Sequence, residues 1–407
     1  MKSIEGGVTA AKGFWAAGVE AGIKYHDRKD MALVWSECPA AAAGTFTTNA
    51  VKAAPVLWDQ RIISRGKPVR AVVLNSGIAN ACTGQLGKEN NEKMAEAVAE
   101  ACSVQTEEVL TASTGVIGMQ LRMEPVEEGV KALKEALADT EAAALDAAEA
   151  IMTTDTVSKQ CAVSFAIGGK MVCVGGMSKG SGMIHPNMAT MLSVITTDAC
   201  IDQELLQQAL RDVVSDTFNM ISVDRDTSTN DTCVILANGM SGSPEIQEGT
   251  KEYKSFTKAL FYVARELAKK MAGDGEGCTK LLEVTVQHAA TTKAAKLLSK
   301  SVITSNLVKT AVFGCDCNWG RVLCALGYSG AVFNPDTVDL YFESEKGKLQ
   351  VVKDGLAADY SEEQATEILS AEEVTVLVDV KQGDASATAW GCDLTYDYVK
   401  INGDYRS

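Results

Sequence analysis

Histidine is scarce in this sequence, with three residues in 407: His26, His185 and His288. The twelve cysteines form no CxxC pair, and Cys315-Asp316-Cys317 is the nearest approach. Zinc sites draw on paired cysteines and clustered histidines, so no structural metal is expected. No run of 18 apolar residues occurs, and Met1 to Gly7 contain no apolar signal core. A membrane span and a secretory signal are therefore not expected; a cytoplasmic protein with reduced thiols is. Positive charge is in deficit: 38 Lys and Arg against 53 Asp and Glu give a formal net charge of -15. That balance argues against nucleic acid or an anionic membrane as the main partner. It leaves room for a small anionic substrate held by a few local cations. Low-complexity segments and convincing repeats are missing too.

What is present is an ordinary globular mixture, 46% hydrophobic and 22% charged. At roughly 100–200 residues per domain, the length suggests about two or three lobes. Short β-rich runs at 31–36, 69–74, 171–174, 193–197, 283–287 and 374–379 alternate with helical patterns. The clearest helical patterns cover 88–102, 125–152, 203–216 and 252–271. Pro125 suits the first turn of its helix, and Gly273 suits a C-cap. The chain reads as α/β or mixed α+β, with the order of strands left open.

The chemistry concentrates in Gly175-Gly-Met-Ser-Lys-Gly-Ser-Gly-Met-Ile-His-Pro-Asn-Met-Ala-Thr-Met-Leu192. Four glycines within eight residues imply a backbone that something approaches closely, although a plain surface loop would also be glycine-rich. A phosphate loop fails on spacing: Gly169-Lys170 has Ser164 where a glycine is needed and Met171 where a hydroxyl is needed. Gly176-Met-Ser178-Lys-Gly180 matches the GxSxG elbow of serine hydrolases. That elbow needs a helix straight after the serine, and Gly-Ser-Gly followed by Pro186 is a poor helix start. A third reading is an N-terminal nucleophile made by internal cleavage. Its own α-amine, with an ordinary pKa of about 7.7–8.0, would be the general base. These considerations do not choose among Ser178, Ser181, Thr190 and Ser193.

Lys179-Gly-Ser-Gly-Met-Ile-His-Pro-Asn-Met-Ala-Thr-Met-Leu192 closely resembles the signature of the glutamate N-acetyltransferase / ornithine acetyltransferase (ArgJ) family of arginine biosynthesis. Further ordered matches span nearly the whole chain. They include 8–14, 44–49, 52–56, Asn75-Ser-Gly77, 79–84 and Ser113-Thr-Gly-Val-Ile-Gly118. Met152-Thr-Thr-Asp-Thr156, 226–232, Gly273-Asp-Gly-Glu-Gly277, Asn318-Trp-Gly-Arg321 and Ile401-Asn-Gly-Asp-Tyr-Arg-Ser407 complete them. Ile78, Arg225 and Cys317 depart from the pattern, in positions where the family often has Asn, Gly, and Pro or Ala.

The resemblance implies an αββα-type sandwich with a second, smaller α/β lobe within about 285–395. It implies self-cleavage at Ala189–Thr190 into chains 1–189 and 190–407, intertwined and assembled as a heterotetramer or larger. Thr190 is the implied nucleophile, and Thr114 with Gly115 the implied oxyanion hole. Thr153, Lys179, Thr190, Glu276, Asn402 and Ser407 match substrate-binding positions. The implied reaction moves acetyl from N-acetylornithine to glutamate by ping-pong transfer. It needs no cofactor, and acetyl-CoA is a donor for some members. A related reading is a hydrolase, with the acyl-enzyme resolved by water or an esterase built on Ser178. The segment 226–232 reads either as a hydrogen-bonded turn or as a wall of the acetyl pocket.

Overall fold

The computed structural model describes residues 1–185 and 191–404. Among them the strands form two sheets. The larger runs, in spatial order, through Lys2–Ile4, Lys159–Ile167, Lys170–Lys179, Leu192–Thr197, Thr232–Ala237, Met31–Phe46, Val69–Asn75 and Val109–Ser113. Phe14–Val19 also pairs with Met31–Phe46. The smaller sheet runs Leu356–Ala357, Gly347–Lys353, Asp339–Ser344, Glu373–Asp379, Leu281–Ala289, Ala385–Cys392 and Ile221–Ser222. No described helix is long and apolar enough to cross a membrane.

The centre of the larger sheet is buried on both faces. Successive side chains of a strand point to opposite faces, and this sheet feeds two cores by that alternation. Ile195, Cys233 and Ile235 enter a core shared with the helices Gln203–Asp216 and Lys251–Gly273. Val194, Val234 and Leu236 enter the other, with Val72 and Leu74 and the helices Met123–Ala136 and Glu141–Ala150. Helix Lys251–Gly273 also packs against Ala385–Cys392, so one amphipathic element joins the two sheets. This is a mixed α/β sandwich, the class the sequence suggested.

All six expected strands lie inside observed ones. The helical pattern over 125–152 is divided, however, into Met123–Ala136 and Glu141–Ala150. Two local interactions break it. Ala138 makes a two-way backbone bridge with Ala16, and the Thr140 hydroxyl caps the second helix by accepting from the Ala143 N–H at 3.2 Å. Gly273 is the last helical residue, not a cap beyond the helix end. Its neighbour Asp274 ends the helix because Lys159 and Thr156 hold its carboxylate.

The strand expected at 171–174 runs on to Lys179, through Gly175 and Gly176. A Cβ on Gly175 would stand 1.9 Å from the Gly7 carbonyl oxygen, so here the close approach inferred from the glycines is made by the chain's own N-terminal turn. At Gly176 the nearest atom to such a Cβ is Leu267 Cδ1, at 3.1 Å. Gly175→Ala should therefore cost about 1–3 kcal/mol of stability in urea unfolding. Gly176→Ala should cost less, because a leucine methyl moves more easily than a backbone carbonyl. Equal losses would contradict this reading of the strand.

Candidate active site

Five separate stretches of the chain deliver these residues to one cavity of about 350 Å³. Thr114 and Gly115 follow the end of strand Val109–Ser113. Thr153 follows helix Glu141–Ala150, and Lys179 ends strand Lys170–Lys179. Glu276 lies in the turn after helix Lys251–Gly273, and Asn402 on the C-terminal helix Tyr396–Asp404. These are all six described residues among the sequence-predicted site positions, and all six line this cavity. Ala189, Thr190 and Ser407 lie outside the described residues.

Lys179 is the hub. Its ammonium donates to Thr153 Oγ1 at 2.9 Å and to Thr114 Oγ1 at 3.2 Å. An ammonium carries three donors, and among the described residues the third has no acceptor. Burial lowers the Lys179 pKa from its ordinary 10.5, and the nearby Lys159 charge adds to that. Asp155, Glu276 and Asp231 oppose the shift. A buried cation with an open donor is suited to a carboxylate ligand.

The Thr114–Gly115 turn is tightly specified. Gly115 has φ +130°, and a Cβ on it would meet the Gly77 carbonyl carbon at 2.2 Å, so only glycine fits. The neighbouring amides are already used: Thr114 N–H donates to Asn75 O and Val116 N–H to Gly77 O, each at 3.0 Å. Ile78, one of the departures from the family pattern, bridges both Thr114 and Val116. Arg225, the second, has φ +73°, a conformation in which glycine is the easier residue. Cys317, the third, is buried in a core.

Glu276 faces the cavity rather than bulk solvent. Its N–H donates to Ser181 O at 3.0 Å, and Asn402 Nδ2 donates to its Oε2 at 2.8 Å. A Cβ on Gly182 would stand 2.4 Å from the Glu276 carboxylate, which explains a glycine there. The Asn402 bond ties the C-terminal helix to the site.

Sequence reasoning assigned no role to two acidic residues that shape this site. Asp231 lines the cavity at 1% exposure, and burial pushes its carboxyl well above the usual range. Together with Ser228, Thr229 and Asn230 it makes part of the segment 226–232, residues 228–231, a cavity wall. Asp155 sits behind the wall. It accepts from Gly180 N–H at 2.7 Å, Thr153 N–H at 3.1 Å and Lys159 Nζ at 2.7 Å. Burial would raise its pKa, but the Lys179 and Lys159 charges and these hydrogen bonds outweigh that and hold it at about 2. The density of Thr, Asn and Asp in both segments was the available signal.

The serine-elbow reading fails on geometry. Ser178 lies within strand Lys170–Lys179, paired with Lys159 and Ser193, and is 1% exposed. It is not on a strand-to-helix turn and does not line the cavity. His185 pairs with the Ser222 hydroxyl, and burial lowers its pKa to about 4. His288 pairs with Asp379 on the smaller sheet. Among the described residues no group of three or more His, Cys, Asp or Glu could hold a metal ion.

The family model of ArgJ matches residues 15–407. The chain belongs to the ArgJ family. It is 51% identical over 407 residues to the arginine biosynthesis bifunctional protein ArgJ of Caldanaerobacter subterraneus subsp. tengcongensis, covering 100% of both chains. It is 44% identical over 404 residues to the protein of the same description from Bacillus subtilis, covering 99% of this chain and 97% of that one. A crystal structure of the arginine biosynthesis bifunctional protein argJ from Bacillus halodurans is similar at 44% identity with a TM-score of 0.50. It covers 52% of this chain and 98% of its own.

The charge of Asp155 gives an acid-stability prediction. Its folded pKa of about 2 lies below the ordinary 3.8, so it stabilises the fold above pH 4 and that contribution is lost as pH falls towards 2. The difference corresponds to about 2 kcal/mol. Urea unfolding at pH 5 and pH 2.5 should show this loss in the wild type and its absence in Asp155→Asn. Parallel losses in both proteins would contradict the assignment.

Proposed function

We infer that this chain is an acetyltransferase of arginine biosynthesis that moves the acetyl group of N-acetylornithine to glutamate. The observation that carries the reading is the convergence of Thr114, Gly115, Thr153, Lys179, Glu276 and Asn402 on one cavity around a buried ammonium. Full-length identity to proteins described as bifunctional in arginine biosynthesis supports it.

The chain cleaves itself between Ala189 and Thr190, and Thr190 becomes an N-terminal nucleophile whose α-amine is its base. In support, the similar Bacillus halodurans chain is matched over 98% of its length yet spans only 52% of this one, as a separate polypeptide would after a cut near the middle. The Thr190 hydroxyl attacks the acetyl carbonyl, its proton passing to the α-amine. The bond from acetyl carbon to ornithine nitrogen breaks, and the proton goes to the leaving amine. Glutamate then attacks the acetyl ester by the reverse path. The Thr114 hydroxyl and Gly115 N–H stabilise the oxyanion. Because Lys179 donates to Thr114 Oγ1, the Thr114 hydrogen remains available and is made a better donor.

The third donor of Lys179 takes the α-carboxylate that ornithine and glutamate share, with Thr153 fixing its direction. Glu276, steadied by Asn402, faces the substrate ammonium. Ser407 completes the substrate set. No cofactor is required, and acetyl-CoA is a second acetyl donor. The cleaved chains assemble as a heterotetramer or larger in the cytoplasm.

Purified protein supplied with N-acetylornithine and glutamate should form N-acetylglutamate and ornithine. Thr190→Ala should abolish both cleavage and transfer. Thr114→Ala should lower kcat about 10²–10³-fold. Ornithine released equally with and without glutamate would make the protein a hydrolase, and full activity in Thr190→Ala would refute the nucleophile.

A further inference from the structure

Behind the cavity wall lies a buried chain of alternating charge, Asp155, Lys159 and Asp274, that does not line the cavity itself. Lys159 has a fully buried side chain. Its ammonium donates to Asp155 Oδ1 at 2.7 Å, to Asp274 Oδ2 at 2.6 Å and to Val157 O at 3.2 Å. Each carboxylate then holds backbone that leads into the site. Asp155 takes the amides of Thr153 and Gly180. Asp274 takes the Thr156 amide at 3.1 Å and the Thr156 hydroxyl. The Asp274 carbonyl accepts from Ser181 Oγ at 2.7 Å, and the Ser181 carbonyl accepts from the Glu276 amide.

We propose that Asp155 is a positioning residue of the acyl-transfer site. It acts through Lys179 and, by way of Lys159 and Asp274, ties the carboxylate-binding end of the cavity to the loop that carries Glu276. The inference rests on the function proposed above.

Three features support it. First, Thr153 and Asp155 lie in irregular chain between helix Glu141–Ala150 and strand Lys159–Ile167, where no ladder fixes the backbone. The Asp155 carboxylate staples this segment to Gly180, the residue after Lys179, and so fixes both partners of the Lys179–Thr153 bond. Second, the charged groups facing Lys179 are Asp155, Lys159, Glu276 and Asp231. Asp155 is the largest of the influences that keep Lys179 protonated, and Lys159 opposes it. Third, donor and acceptor share an α-carboxylate but differ in the side chain. A rigid common anchor lets one cavity take both in turn, provided its two poles stay at a fixed separation.

A structural staple alone would lower stability and active fraction without moving a titration. The test is therefore KM and kcat for both substrates across pH 6–10 in wild type, Asp155→Asn and Asp155→Glu. Asp155→Asn should raise both KM values about tenfold or more, with kcat changing less. Its alkaline rise in KM should begin about one pH unit or more below that of the wild type, because Lys179 has lost its main counter-charge. Asp155→Glu keeps the charge and should keep the wild-type limb. Comparison with wild type removes the titration of the substrate amines.

An unmoved limb in Asp155→Asn, or a limb moved equally by Asp155→Glu, overturns the proposal. If Asp155→Asn yields no soluble protein, Asp274→Asn decides. Asp274 is not among the largest charge influences on Lys179, so KM should rise while the limb moves less than in Asp155→Asn. An unchanged KM overturns the proposal. A wild type that transfers no acetyl group at all sinks the underlying function as well; wild-type activity with unaltered variants sinks this inference alone.

Discussion

The ammonium of Lys179 is the constraint around which the site is organised. Taking a lysine charge out of water costs several kcal/mol unless hydrogen bonds and counter-charge offset it. Here two hydroxyls and the buried Asp155 carboxylate provide the offset. Among the described residues the hydroxyls use two of the three ammonium donors, and a third is the one proposed to take a substrate carboxylate. A chain of net charge -15 has little general attraction for anions, so the proposed carboxylate binding rests on this local cation and not on the mean field.

At this site the fold holds that cation against the Thr114 hydroxyl, which comes from a different part of the chain. Strands Lys170–Lys179 and Val109–Ser113 belong to the same sheet but are separated in its order by several strands. The long strand Met31–Phe46 links them, pairing with Val69–Asn75 chiefly over 31–35 and with Thr232–Ala237 over 41–46. A register slip of one residue would turn every core side chain of Leu192–Thr197 to the wrong face. Gly115 adds a second rigidity. It cannot be replaced, because a Cβ there would collide with the Gly77 carbonyl. Preorganised donors of this kind are what acyl transfer requires, since they stabilise a developing oxyanion without reorganising as it forms.

Much of this was legible in the sequence for identifiable reasons. The central strands are mostly apolar because both faces are buried, and a sequence scan finds such runs. The α/β class followed from their alternation with helical stretches. The split between Met123–Ala136 and Glu141–Ala150 was hidden because alanine-rich chain continues a helical pattern through a break set by a distant bridge to Ala16. At the site, motif resemblance supplied the six cavity residues, whereas residue chemistry alone left several hydroxyls equivalent. Asp155 escaped because a short acidic residue among threonines is ordinarily a turn, and for Asp231 the turn and wall readings were both open. Only the third dimension shows that Asp155 is buried between two lysines and that Asp231 walls the cavity.

The account depends most on a covalent acetyl intermediate at Thr190, and intact mass measures it directly. The wild-type protein is mixed with N-acetylornithine and no acceptor, quenched in acid and denatured. The expected result is two chains divided between Ala189 and Thr190, with one acetyl group on the chain that begins at Thr190 and none after glutamate is added. A single uncut chain, or an acetyl group on the 1–189 chain that glutamate does not remove, would contradict it.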